Sequence, residues 1–164
     1  MKIGRLGTWY ALDKLSGAQM LPFLALLERL NYNVLWYPES RGYESLSLAG
    51  FLLGNSSKLK IGSSIASIYA RDAFTARRGM LSLNSLYGGR FILGLGVSHA
   101  PMVEGVRGHT YAKPVPAMRA YLEGINQGPV RIRGMANRNC CTRPADAETR
   151  RGKDPGCVAV QRDA

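Results

Sequence analysis

The chain predicts an α/β fold in which short parallel strands alternate with helical crossovers. Runs of β-forming residues and runs with helical apolar spacing follow one another four times, and short connections join them. A third observation sets the limits of that pattern: from Gln127 to Ala164 there is no Leu, Phe, Tyr or Trp. Two architectures satisfy the alternation, a doubly wound open sheet or the front half of a (β/α) barrel. In both, a ligand meets the C-terminal ends of the strands.

The first unit opens with "KIGRLGTWY" (Lys2–Tyr10), a strand ending in aromatics. In "SGAQMLPFLALLERLNY", Met20, Phe23, Leu24, Leu27 and Leu30 recur at helical spacing. Ser16 is placed as the N-cap, and Pro22 falls early enough to be tolerated. The second unit is "NVLWYPES", a β-rich run that Pro38 ends, followed by "YESLSLAGFLLGNSS". There Leu46, Ala49 and Leu53 form one stripe, and Gly54–Asn55 stop the helix.

"KLKIGSSIASIY" is the third strand, running out through small residues. Asp72 caps "DAFTARRGMLSLNSLYGG", which closes on Gly88–Gly89. "RFILGLGVSH" is the fourth strand, and after a loop "KPVPAMRAYLEGIN" supplies the fourth helix. The strand tips are therefore Trp9–Asp13, Pro38–Gly42, Ser63–Asp72 and Gly96–His109, where nearly all the polar and aromatic oddities of the body gather.

A chain of 164 residues has room for one ordinary domain with a real core. No apolar run nears the roughly 18 residues that span a bilayer, and the N-terminus lacks the apolar stretch of a signal peptide. A cytoplasmic location with no membrane partner is expected. The net charge of +11 is spread along the chain: residues 1–126 carry 14 Lys/Arg against 7 Asp/Glu, and residues 127–164 carry 8 against 4. Without a basic stripe interleaved with aromatics, this charge predicts solubility rather than nucleic-acid recognition.

The body is thus placed at 1–126 and a disordered tail at 127–164, too poor in bulky apolar groups to offset its ordering entropy. Cys140, Cys141 and Cys157 all fall in that tail, without the histidines or the spacing of a zinc site, and no metal is expected.

"GLGVSH" (Gly94–His99) reads as G-x-G-x-x-H, one glycine short of a dinucleotide fingerprint. It lies on the fourth strand, and a loop rather than a helix mouth follows it, which argues against a phosphate cradle. Glycines that admit close backbone approach in a crowded interior are the simpler reading. Ser98 and His99 at the strand tip are placed to hydrogen-bond a ring or move a proton. Small residues in "SSIASIYARDA" would let a flat ring lie against the backbone. Glu39, Arg41 and Glu44 of "PESRGYE" are solvated loop charges unless a ligand sits above the sheet.

Together "LWYPE", "ASIYARD", "SLYGGRFILGLGVSHAPMVEGVRGH" and "KPVPAMRAYLEG" resemble the luciferase-like monooxygenase superfamily, and within it the deazaflavin (coenzyme F420)-dependent oxidoreductases. The likeness runs from about residue 3 to about residue 125, and the long glycine-rich block carries most of it. It implies a partial (β/α)8 TIM barrel, its first four βα units, binding F420 or alternatively FMN at the strand tips. It also implies hydride transfer or monooxygenation of a small-molecule substrate. By the same resemblance Trp9, Ser64, Ile65, Ala66, Gly96 and Ser98 would contact the cofactor, and His99 and Glu39 would be catalytic. A non-prolyl cis peptide is implied at Ser64–Ile65.

A whole barrel of this kind takes about 250 residues. The expectation is therefore a truncated or frameshifted copy, with a non-catalytic remnant or an oligomerising module as the alternative function. A homodimer through the open barrel face is one way to cover it.

Overall fold

A computed structural model of the chain describes residues 3–126. The expectations for the tail and its three cysteines lie outside the described residues.

Strand β1 (Gly7–Trp9), helix α1 (Gly17–Arg29), strand β2 (Val34–Tyr37) and helix α2 (Ser45–Gly54) form the first two units. Strands β3 (Lys60–Ser63) and β4 (Ala66–Ser67) then precede helix α3 (Ala73–Leu86). Strands β5 (Phe91–Ile92) and β6 (Leu95–Gly96), the short helix α4 (Ala100–Val103) and helix α5 (Pro114–Asn126) complete the order. The sheet runs β1-β2-β3-β5, every pair parallel, and β4 pairs with β6, also parallel. Spatial order follows chain order with no reversal. That removes the doubly wound alternative, which needs a switch point, and leaves the front half of a TIM barrel.

Local chemistry explains the boundaries. Ser16 caps α1 in a reciprocal box with Gln19, and Asp72 caps α3 by accepting from the Thr75 N–H at 2.8 Å. Glu44 caps α2, accepting from the Leu46 and Ser47 N–H groups at 3.1 and 2.7 Å. α3 closes through Gly88 (φ 63°) and Gly89 (φ 77°), left-handed positions that glycine takes without a Cβ clash.

Three expectations need correcting. The first strand is Gly7–Trp9 rather than Lys2–Tyr10; those three residues pair in parallel with Val34, Leu35 and Trp36. Leu30 is the C-cap of α1 and 53% exposed, so the stripe on the core ends at Leu27. The loop after β6 folds its first turn into α4, with Pro101 in that first turn.

The strands alternate between two faces. Leu35, Tyr37, Ile61 and Phe91 join the main core beneath the helices, with Leu24, Leu52 and Met80. Val34 and Ile92 are buried as well but stand outside that cluster, on the inner face of the half-barrel. Trp36 spreads across this inner face. Any Cβ at Gly62 on β3 would collide with its ring, and one at Gly7 on β1 would lie 3.7 Å from its Nε1. Gly62 is what admits the indole, whereas Gly7 makes room for the Val34 side chain.

Candidate active site

The third and fourth strands each break near their tips. Between β3 and β4 the Ser64–Ile65 peptide is cis, the bond to which the family resemblance points. Neighbours on both sides hold the break. Ser64 N–H donates to Tyr37 O at 2.7 Å, Glu39 N–H to Ile65 O at 3.1 Å and Ala66 N–H to Gly94 O at 2.8 Å. Ser63 lends its side chain to the same place: its Oγ donates to Gly94 O at 2.8 Å and accepts from Gly94 N–H at 3.0 Å.

Trp9 and Ser64 are brought together. The indole Nε1–H donates to Ser64 O at 3.3 Å, while 55% of Trp9 remains open to solvent. Ile65 is half-buried beside them, and Ala66 is buried. Gly96 is buried in register with Ser67, and its carbonyl accepts from Ile68 N–H at 3.0 Å. Ser98 is half-buried and takes the left-handed conformation (φ 57°) that turns the chain off β6. His99, next to it, is exposed at the start of α4. Neither Gly94 nor Gly96 has a positive φ. Gly94 is required instead because a Cβ would strike the Ser63 carbonyl oxygen.

Glu39, expected as a catalytic carboxylate, lies buried among its hydrogen-bond partners. Its side chain is 4% exposed and both oxygens are engaged: Oε2 accepts from Ser67 N–H at 2.8 Å, and Oε1 takes Ser45 N–H at 3.4 Å and pairs with Arg71. The Arg71 guanidinium, 6% exposed, also reaches Glu44 at 2.7 Å, and its other terminal nitrogen, Nη1, is buried without a partner. Burial works against the Arg71 charge, but Glu39 and then Glu44 outweigh it and raise its pKa above the ordinary value. For Glu44, too, burial opposes the charge. The N–H groups of Ser47 and Leu46, the Ser47 hydroxyl and Arg71 prevail, so its pKa lies below the carboxylate norm.

Sequence reasoning missed Arg71 and a pair of tyrosines. The Tyr69 and Tyr111 rings meet at a tilt of 36°, their centroids 5.9 Å apart. The Tyr69 hydroxyl accepts from Ala112 N–H at 3.0 Å and the Tyr111 hydroxyl donates to Ser98 O at 3.2 Å, so the loop beyond β6 is fastened to the exit of β4. A signal for Arg71 existed: in "YARD" a cation leaves a strand tip just where "PESRGYE" leaves the neighbouring one. Among the described residues no group of three or more His, Cys, Asp or Glu could hold a metal ion. None of the described helices is long and apolar enough to cross a membrane.

Parallel strands in barrel order, with helices as their crossovers, define a protein of the (β/α)-barrel class. The luciferase-like monooxygenase family matches residues 6–150, and the chain belongs to that family. The match continues past Ile125, where the resemblance read from the motifs stops. A Mycobacterium tuberculosis (strain ATCC 25618 / H37Rv) protein, named as a candidate coenzyme F420-dependent oxidoreductase, is 30% identical over 128 residues, 77% of this chain and 36% of that protein. Among solved structures, the coenzyme F420-dependent tetrahydromethanopterin reductase of Methanopyrus kandleri superposes with a TM-score of 0.63 at 18% identity, covering 73% of this chain and 38% of that one. The oxygenating constituent of 3,6-diketocamphane monooxygenase from Pseudomonas putida, in complex with FMN, gives 0.58 at 12% identity over 72% and 37%. The chain thus spans little more than a third of each of these proteins.

Proposed function

We propose that the rim is the ring-binding part of an oxidoreductase site that takes F420, or alternatively FMN. The observation that carries this reading is the pairing of Trp9 with Ser64: a broad, half-exposed aromatic surface is anchored beside a break in the main chain lined by small residues. A flat heterocycle suits such a place, with the indole as one wall and the backbone of Ser64, Ile65 and Ala66 as its floor. The name of the M. tuberculosis relative favours F420, and the FMN complex among the structural neighbours keeps the second ring in view. The ring, when bound, supplies hydride transfer or, with oxygen, monooxygenation of a small-molecule substrate.

The chain's own groups bind and orient. Gly96 and Ser98 form the part of the rim contributed by the fourth strand, and His99 carries the exposed imidazole that can take up or release a proton at the substrate. Titration of the purified chain with each ring, followed by indole fluorescence and by the absorption of the ring, tests the reading. Saturable quenching with one ring at micromolar to submillimolar concentration is expected. Absence of saturation with both rings up to about 1 mM would overturn it.

A second reading, an oligomerising module, draws support from β1 and β5, each paired on one side only within the described sheet. Parallel sheets are ordinarily covered on both faces and seldom leave long edges open. A homodimer through the open face predicts a concentration-dependent mass in light scattering; a monomer at every concentration refutes it.

A further inference from the structure

A carboxylate with both oxygens engaged lies behind the surface that the ring would touch. Glu39 follows Pro38 just beyond β2, and it ties down three separate stretches of chain. Its main-chain N–H holds Ile65 O at 3.1 Å, and its Oε2 holds Ser67 N–H at 2.8 Å. Its Oε1 receives Ser45 N–H, at the first residue of α2, together with Arg71. Arg71 carries the connection on to Glu44, the cap of α2, and the Arg71 carbonyl accepts from the Tyr121 hydroxyl of α5 at 2.9 Å. The link between β3 and β4 is therefore fixed on its β2 side by the Tyr37 carbonyl and by Glu39, which acts through both main chain and side chain. Few other groups are available for the task, because Ser64, Ile65 and Ala66 have short or apolar side chains.

We infer that Glu39 and Arg71 are positioning residues: a buried ion pair that sets the height and tilt of the Ile65–Ser67 backbone on which the cofactor ring would rest. The inference deepens the ring-site reading and rests on it for its functional half. The structural half, that the carboxylate holds Ser67 N–H, stands without any ligand. A buried pair is suited to the role: loss of Arg71 strands the Glu39 carboxylate, loss of Glu39 leaves Arg71 held by Glu44 alone, and in either case the segments must move, whereas loss of both relaxes the penalty.

The experiment has two arms. In the first, amide exchange of the unliganded wild-type chain is followed residue by residue. Ser67 N–H should be protected well beyond a free peptide amide, and exchange at the free-peptide rate would overturn the inference whatever the ring does. In the second, Glu39→Gln, Arg71→Met and the double variant are titrated with F420 and with FMN. Each single variant should weaken binding of the preferred ring at least 10-fold and shift the absorption band of the bound ring. The double variant should bind no more weakly than the worse single one. Arg71→Lys, which keeps the charge, should recover part of the affinity. Wild-type affinity and an unshifted band in Glu39→Gln would sink the proposal, even if its thermal midpoint falls. Should Glu39→Gln not fold, Arg71→Lys and the wild-type exchange decide the matter. A wild-type chain that binds neither ring while Ser67 stays protected would refute the ring site and leave the clamp standing.

Discussion

Ser63 and Gly94 complete one another across the point where two strands break. One hydroxyl donates to the carbonyl and accepts from the N–H of the same glycine, at 2.8 and 3.0 Å, and both residues are buried. The side chain replaces the ladder bonds that the break removes, and the glycine lets the two backbones approach.

Substitution on either side should be costly for different reasons. Ser63→Ala leaves a buried N–H without a partner and should lower stability by about 1–3 kcal/mol. Gly94→Ala puts a methyl into the Ser63 carbonyl, a backbone atom that cannot swing away, and should cost about 3 kcal/mol or prevent folding. Urea unfolding midpoints of the two variants check both values.

Glu28 supplies an acid-sensitive tie between α1 and the loop before β3. It accepts from the N–H groups of Ser57 and Leu59 at 2.9 and 3.0 Å and from the Ser57 hydroxyl at 2.9 Å. Burial pushes its pKa up, but hydrogen bonds from Lys58, Leu59 and Ser57 outweigh this, and it lies below the ordinary value of 4.5. A carboxyl more acidic folded than unfolded contributes fully above the unfolded value and loses its contribution as pH falls through the folded one. Glu28→Gln should therefore cost about 1 kcal/mol at pH 7, trimmed by screening near the surface. The gap between wild type and variant should narrow below pH 4.5, as read from denaturation midpoints across the acid range.

Trp36 is sensitive to what stands opposite it. Gly62→Ala drives a methyl into the indole ring, so the side chain must tilt or β3 must move. A loss of about 1–3 kcal/mol is expected, with a shift of tryptophan emission. In a Trp9→Phe background that shift reports Trp36 alone, and an unchanged spectrum would contradict the packing described.

The reciprocal cap at the start of α1 predicts a coupled pair. Ser16→Ala should lower stability by about 1 kcal/mol and Gln19→Ala by less. The two losses should sum to more than the double variant shows, because the Ser16 hydroxyl also donates to Gln19 Oε1 at 3.1 Å, a bond that either substitution removes.

The barrel order and most helix limits were legible in the sequence because they rest on local signals. Ser16, Asp72 and Gly88–Gly89 are short-range chemistry, and the apolar spacing at Met20, Leu24 and Leu27 is periodic. What escaped depends on contacts between distant residues. Arg71 meets Glu39 only after α2, β3 and β4 have folded between them, and Tyr69 meets Tyr111 across the loop that follows β6. Glu39 was visible as a strand-tip acid, but nothing in "PESRGYE" reveals that both of its oxygens are taken. The break at Ser64–Ile65 left no trace in composition and entered only through family resemblance.

One consequence of strand order concerns how the molecule is made. Each strand of the four-stranded sheet lies beside the strand that preceded it into that sheet in chain order. A newly emerged unit finds its docking edge already waiting, and no early segment must stay open for a late one to thread between its neighbours. Synthesis from the N-terminus and growth of the sheet then proceed in the same direction, which limits the time any one edge spends bare during assembly.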